Sequence, residues 1–169
     1  IGADASETEA SMAEVAERAA LDVAYFNQQA CANSRVIYLQ TGTDDEGLAK
    51  ANRFGELLFG AVQALPQQCS GPGAIDAELL EEMQSLRMVS NEHRIIGGGE
   101  DGAVIVSQID EPVDFAPLLN NRVTNLVPVD DLDVPIRSVT AYTQTIGIYP
   151  DRLKADIRDR LVFNGGGGQ

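Results

Sequence analysis

The chain has 169 residues, 44% of them hydrophobic and 22% charged, enough for one domain with a substantial core. Its net charge of −14 offers no basic stripe to displace counterions, which argues against nucleic acid as a partner. No apolar run reaches membrane-span length, and the opening Ile1-Gly2-Ala3-Asp4 has neither a basic region nor an apolar core, so a cytoplasmic protein is expected. Two cysteines, Cys31 and Cys69, are too few for a disulfide framework, and they are expected to stay reduced. With one histidine, most zinc and Cys-His schemes drop out, and no metal is expected.

In chain order, residues 1–10 are small and acidic and read as a flexible lead-in. Met12, Val15, Ala16, Ala19, Ala20, Val23 and Phe26 then recur at helical spacing, with Ser11 as N-cap and Glu14 completing a capping box. The β-branched run from Arg35 to Leu39 predicts a strand ending at Thr41-Gly42. Asp44, Asp45 and Glu46 open a second helix, their charges suiting its N-terminal dipole. It carries Leu48, Ala51, Phe54, Leu57, Leu58, Ala61 and Val62 and stops at Pro66. Residues 66–74 form a loop, and Asp76 caps a third helix to about Val89.

A hairpin follows, with strands near 93–96 and 103–109 around the glycine turn 97–102. Strands on both sides of that turn rule out a dinucleotide fingerprint, and no P-loop is present. Residues 123–129 predict a further strand, placed at an edge or at a strand end by Pro128. A helix is expected from Asp130-Asp131 to about Tyr142, a strand over 145–148, a helix over 151–160 and a short strand over 161–163. Residues 164–169 read as a glycine-rich tail. Alternating strands and helices define an α/β domain, spanning 11–163, with a largely parallel sheet.

Cys31 carries the candidate chemistry. It follows a helix that breaks into Phe26-Asn27-Gln28-Gln29-Ala30, and a strand starts four residues later. A thiolate attacks acyl carbons well, and the thioester it forms stays reactive enough to pass the acyl group on. Arg35 favours the thiolate by its charge, whereas the negative end of the preceding helix opposes ionisation. The Cys31 N–H is a natural oxyanion donor. The competing reading makes Cys31 a buried, inert filler in a non-catalytic interaction or oligomerisation domain.

The segment from Phe26 to Arg35, followed by its hydrophobic strand, resembles the nucleophile segment of the aldehyde dehydrogenase superfamily. Residues 121–133 and 141–147 are similar to the passages that follow it, and the bacterial LuxC-type acyl-CoA reductase branch is the best match. The resemblance implies a three-layer α/β/α catalytic domain of aldehyde-dehydrogenase type. It implies an enzyme in which Cys31 takes an acyl group from acyl-CoA or another acyl thioester, for reduction with NADPH to an aldehyde. Gln29, Asn33 and Arg35 would bind substrate or support the thiolate. Asn121 stands near the glutamate that contacts the nicotinamide ribose in such enzymes. The cofactor-binding domain and the general-base glutamate would both lie upstream of Ile1, so this chain alone is expected to be inactive, and a homo-oligomer is expected. An aldehyde-oxidising dehydrogenase would need a water-activating glutamate from outside the chain.

Overall fold

The computed structural model describes residues 1–89 and 91–165. Helix α1 (Glu9–Ala24) leads through a kinked turn to strand β1 (Val36–Leu39), followed by α2 (Asp45–Ala64) and α3 (Ala77–Val89). The hairpin β2 (His93–Gly97) and β3 (Ala103–Ser107) comes next, then β4 (Val123–Pro128), α4 (Asp133–Arg137) and α5 (Lys154–Gly165). The four strands form one sheet in the order β1-β4-β3-β2. β4 runs parallel to both β1 and β3, and β2 is antiparallel to β3. The α/β class with a mostly parallel sheet is therefore as expected.

Alternation along the strands divides the core. Val104 and Val106 of β3 and Leu126 of β4 join Ile37 and Leu39 in one cluster with α1 and α2. Ala103, Ile105 and Val123 point the other way, into a cluster with Leu79 and Met83 of α3 and with Val113 and Leu119. This is the two-residue period of a sheet buried on both faces. Gly55 lets α2 approach closely, since a Cβ there would lie 2.7 Å from Val106 Cγ2.

The turn into β3 needs a glycine at Gly102, which has φ +79° and no room for a side chain: a Cβ would lie 2.5 Å from the Arg122 carbonyl oxygen. Gly102→Ala is expected to cost about 2 kcal/mol or more from strain and displacement of the β4 entry, read as a lowered urea midpoint.

Several sequence expectations are corrected. Residues 1–10 pack rather than fray: Ala5 is fully buried, Gly2 N donates to Tyr149 O and Gln40 N donates to Ile1 O. The N-cap of α1 is Thr8, whose hydroxyl accepts from Ser11 N at 3.0 Å while Ser11 Oγ accepts from Thr8 N at 3.1 Å. Glu14 instead pairs with Arg18 one turn on. β4 is central rather than an edge, and Pro128 stands at its end, the second of the two expected placements. Pro128 is tolerated because the β3 register ends at Leu126, and the next bond to β1 comes from Val129 N.

The helix expected over 130–142 shrinks to α4. Thr143 Oγ1 accepts from Thr140 N and Thr140 Oγ1 from Tyr142 N, so side chains take the amides that helix propagation needs. Residues 145–148 form no strand, lying exposed or half-buried with no sheet partner, and 161–163 continue α5. Asn164 and Gly165 end that helix, and the rest of the glycine-rich tail, 166–169, lies outside the described residues.

Candidate functional site

The segment after α1 leaves the helix abruptly. Phe26, Asn27 and Gln28 have φ values of 51°, 52° and 64°, three successive non-glycine residues in the left-handed region. Such a run costs roughly 1–3 kcal/mol per residue and persists only where the surroundings impose it. They do so here. Phe26 N donates to Cys69 O at 2.8 Å, and Asn27 Oδ1 accepts from both Ser70 Oγ and Gly71 N. The loop 66–74 thus clamps the kink, which is a structural role for the Cys69 region.

Beyond the kink, Cys31 is exposed and its thiol is free. The buried-filler reading of Cys31 is overturned: the helix that would have sealed the sulfur ends seven residues earlier, at Ala24, and the kink turns the loop outward. Asn33 fastens the turn around the cysteine. Its Oδ1 accepts from Ala30 N at 2.8 Å, and its Nδ2 donates to Asp22 O at 3.1 Å. Ser34 N donates to the same carbonyl, so the C-terminal end of α1 is capped within its own loop. The opposing helix-end charge is thereby partly neutralised. The Asp22 carboxyl lies above its ordinary range because burial penalises the charge. Among the described residues, the Cys31 N–H has no acceptor, which leaves it available to a developing oxyanion.

Gln29 is exposed beside the cysteine. Arg35 is exposed too, and its Nε donates to Leu119 O at 3.0 Å, anchoring the start of β1 while the guanidinium makes no ion pair among the described residues. Asn121 Nδ2 donates to Ala74 O at 2.6 Å. A Cβ on Gly73 would lie 3.8 Å from Asn27 Nδ2 and 3.9 Å from Asn121 Oδ1, so Asn121 sits across that glycine from the thiol loop. The fold therefore brings Asn121 near Asn27 of the kink and spends its amide on the 66–74 loop. His93 opens β2 opposite Ser107, half-buried, with burial holding its imidazole below the ordinary histidine range.

Tyr25 and Phe26, 45% and 58% exposed, lie with ring centroids 4.3 Å apart just before the thiol loop, and Leu21 is exposed one turn earlier. A separate groove between α1 and α2, lined by Ala13, Leu57, Gly60, Ala61 and Ala64, includes none of the thiol-loop residues. Gln28 was overlooked in the sequence, where an amide beside two others carries no signal of its buried bonding. Asn33→Ala is expected to lower stability by about 1–2 kcal/mol through loss of two backbone contacts, measured by thermal unfolding.

These features define an α/β protein that presents a single thiol on a tightly pinned loop at its surface. The chain belongs to the acyl-CoA reductase (LuxC) family, whose model matches residues 2–166. Family membership implies an oxidoreductase acting on acyl-CoA. No curated protein sequence and no solved structure shows a significant match. No helix among the described residues is long and apolar enough to cross a membrane.

Proposed function

We propose that this chain is the thiol-bearing catalytic lobe of an NADPH-dependent, aldehyde-forming acyl-CoA reductase, with a three-layer fold of aldehyde-dehydrogenase type. The observation that carries the reading is the exposed Cys31 on its pinned loop in a chain of this family. The thiolate adds to the thioester carbonyl, the carbon–sulfur bond to coenzyme A breaks, and coenzyme A leaves as a thiol carrying the proton that Cys31 gave up. The exchange of one thioester for another is close to thermoneutral. During addition the Cys31 N–H donates to the oxyanion, and Arg35 and Asn33 hold the loop that aims the sulfur.

The chain's own residues do not fit a dinucleotide. Its glycine-rich turn joins two antiparallel strands, and the Asn121 amide donates to Ala74. NADPH would have to be held by a separate lobe, from which it would supply the hydride; this chain's part ends at the acyl thioester. The exposed Leu21, Tyr25 and Phe26 beside the thiol suit the docking of such a lobe, and the enzyme is a cytoplasmic homo-oligomer. Incubating the complete enzyme with a fatty acyl-CoA and NADPH tests the reading: NADPH is consumed and an aldehyde is trapped, whereas residues 1–169 alone consume none. NADPH consumption by the isolated chain, or its absence in the complete enzyme, contradicts it.

A further inference from the structure

Gln28 is 3% exposed, and its side chain lies at the centre of the loop's bonding. Nε2 donates to Ser34 O at 3.2 Å and to Val123 O at 2.9 Å, while Oε1 accepts from Val123 N at 3.2 Å. Two carbonyls and one N–H surround the amide, so its orientation is fixed by the partners. The two bonds to Val123 imitate a strand partner for the first residue of β4. The bond to Ser34 closes the chain from 28 to 34 into a loop with Cys31 at its middle. No other side chain among the described residues ties both the exit of the loop and the sheet to its entry. The left-handed φ of Gln28 itself is what turns this amide inward while the residues after it face solvent.

We infer that Gln28 is a positioning residue for the acyl-transfer step: its buried amide locks the Cys31 loop to the start of β4 and so fixes where the sulfur stands relative to an incoming thioester. The inference rests on Cys31 being the acyl acceptor. A shift of about 1 Å in a reacting atom is enough to cost roughly 100-fold in rate. Without the amide, Asn125 N and Thr124 Oγ1 still hold the loop's exit at Arg35 O, but its entry at residue 28 loses its side-chain bonds to β4. Gln28 touches no substrate. Its loss therefore acts on the rate of acylation and leaves acyl-CoA binding intact.

The test uses Gln28→Met, which keeps length and removes all three bonds, and Gln28→Glu, which keeps the acceptor and removes the donors. In the complete enzyme, single-turnover acylation of Cys31 by a fatty acyl-CoA is measured over a range of substrate concentrations. The expected result is a limiting rate lowered about 10- to 100-fold in Gln28→Met, less in Gln28→Glu, with half-saturation changed less than about twofold. Iodoacetamide labelling supplies the second measurement: the ratio of Cys31 to Cys69 alkylation changes in folded variants. A limiting rate within about twofold of the parent, or a loss residing in half-saturation alone, overturns the inference. A parent enzyme that never acylates Cys31 rejects the proposed function instead, and the alkylation ratio then decides whether Gln28 positions the thiol. If both variants fail to fold, side-chain amide exchange in the unaltered protein decides: slowly exchanging Gln28 Nε2 protons support the lock and rapidly exchanging ones overturn it.

Discussion

Replacing Cys31 by serine in the complete enzyme lowers acyl-CoA reduction by at least about 10³-fold, because the covalent intermediate loses its nucleophile. A serine hydroxyl at the same place is far less ionised, and nothing on the loop acts as its base. The loop itself is undisturbed. Cys31 is exposed and its side chain makes no hydrogen bond among the described residues, so unfolding free energy changes by no more than about 0.5 kcal/mol. Steady-state NADPH consumption and a denaturant titration, run on the same preparation, check both halves. Retained activity, or activity lost together with folding, contradicts the assignment.

The second large effect belongs to the sheet. Asn125 is fully buried in the middle of β4. Its Nδ2 donates to Ile105 O at 2.8 Å and to Ser107 Oγ at 3.1 Å, and its Oδ1 accepts from Val113 N at 2.9 Å. The amide thereby fastens the β3–β4 crossover, which contains only a single short 3-10 turn, Ala116–Leu118, against the strands it joins. Asn125→Leu keeps the volume and leaves Val113 N without its acceptor and Ser107 Oγ without its Asn125 donor, both buried. Each such group costs about 1–3 kcal/mol, so a loss of about 2–4 kcal/mol is expected, read from urea unfolding. A change below about 1 kcal/mol would show that the crossover finds other partners. Because Asn125 bonds to Arg35 O through its own backbone N–H, β1 and the thiol loop that precedes it are destabilised as well.

Much of this architecture was legible from periodicity. The apolar spacing of α1 and α2 identified Val15, Ala19, Val23, Phe54 and Leu58, all of which are buried. The hairpin and its glycine turn were also readable, since glycine clusters between β-branched runs have few alternatives. Phe26 followed the same helical spacing yet is exposed, because the backbone leaves the helix two residues before it. That departure is imposed from the 66–74 loop through Asn27 and Cys69, contacts more than forty residues away that no local pattern encodes. The C-terminal third misled for a different reason: short segments of mixed propensity, such as 145–148 and 161–163, are decided by whether a neighbour exists to pair with.

For the site, the thiol and Asn33 could be singled out, whereas the buried bonding of Gln28 could not. An amide side chain reports its partners only once the fold has closed around it. The charged neighbour Arg35 was legible as a residue; its bond to Leu119 O, which fixes the start of β1, was not.

The central claim is that the exposed sulfur on the pinned loop captures an acyl group. Mass mapping of the complete enzyme, incubated with a fatty acyl-CoA in the absence of NADPH, tests it directly. A hydroxylamine-labile acyl adduct confined to the peptide bearing Cys31 is the predicted result. An enzyme that reduces acyl-CoA while Cys31 stays unmodified, or that carries the label elsewhere, would contradict it.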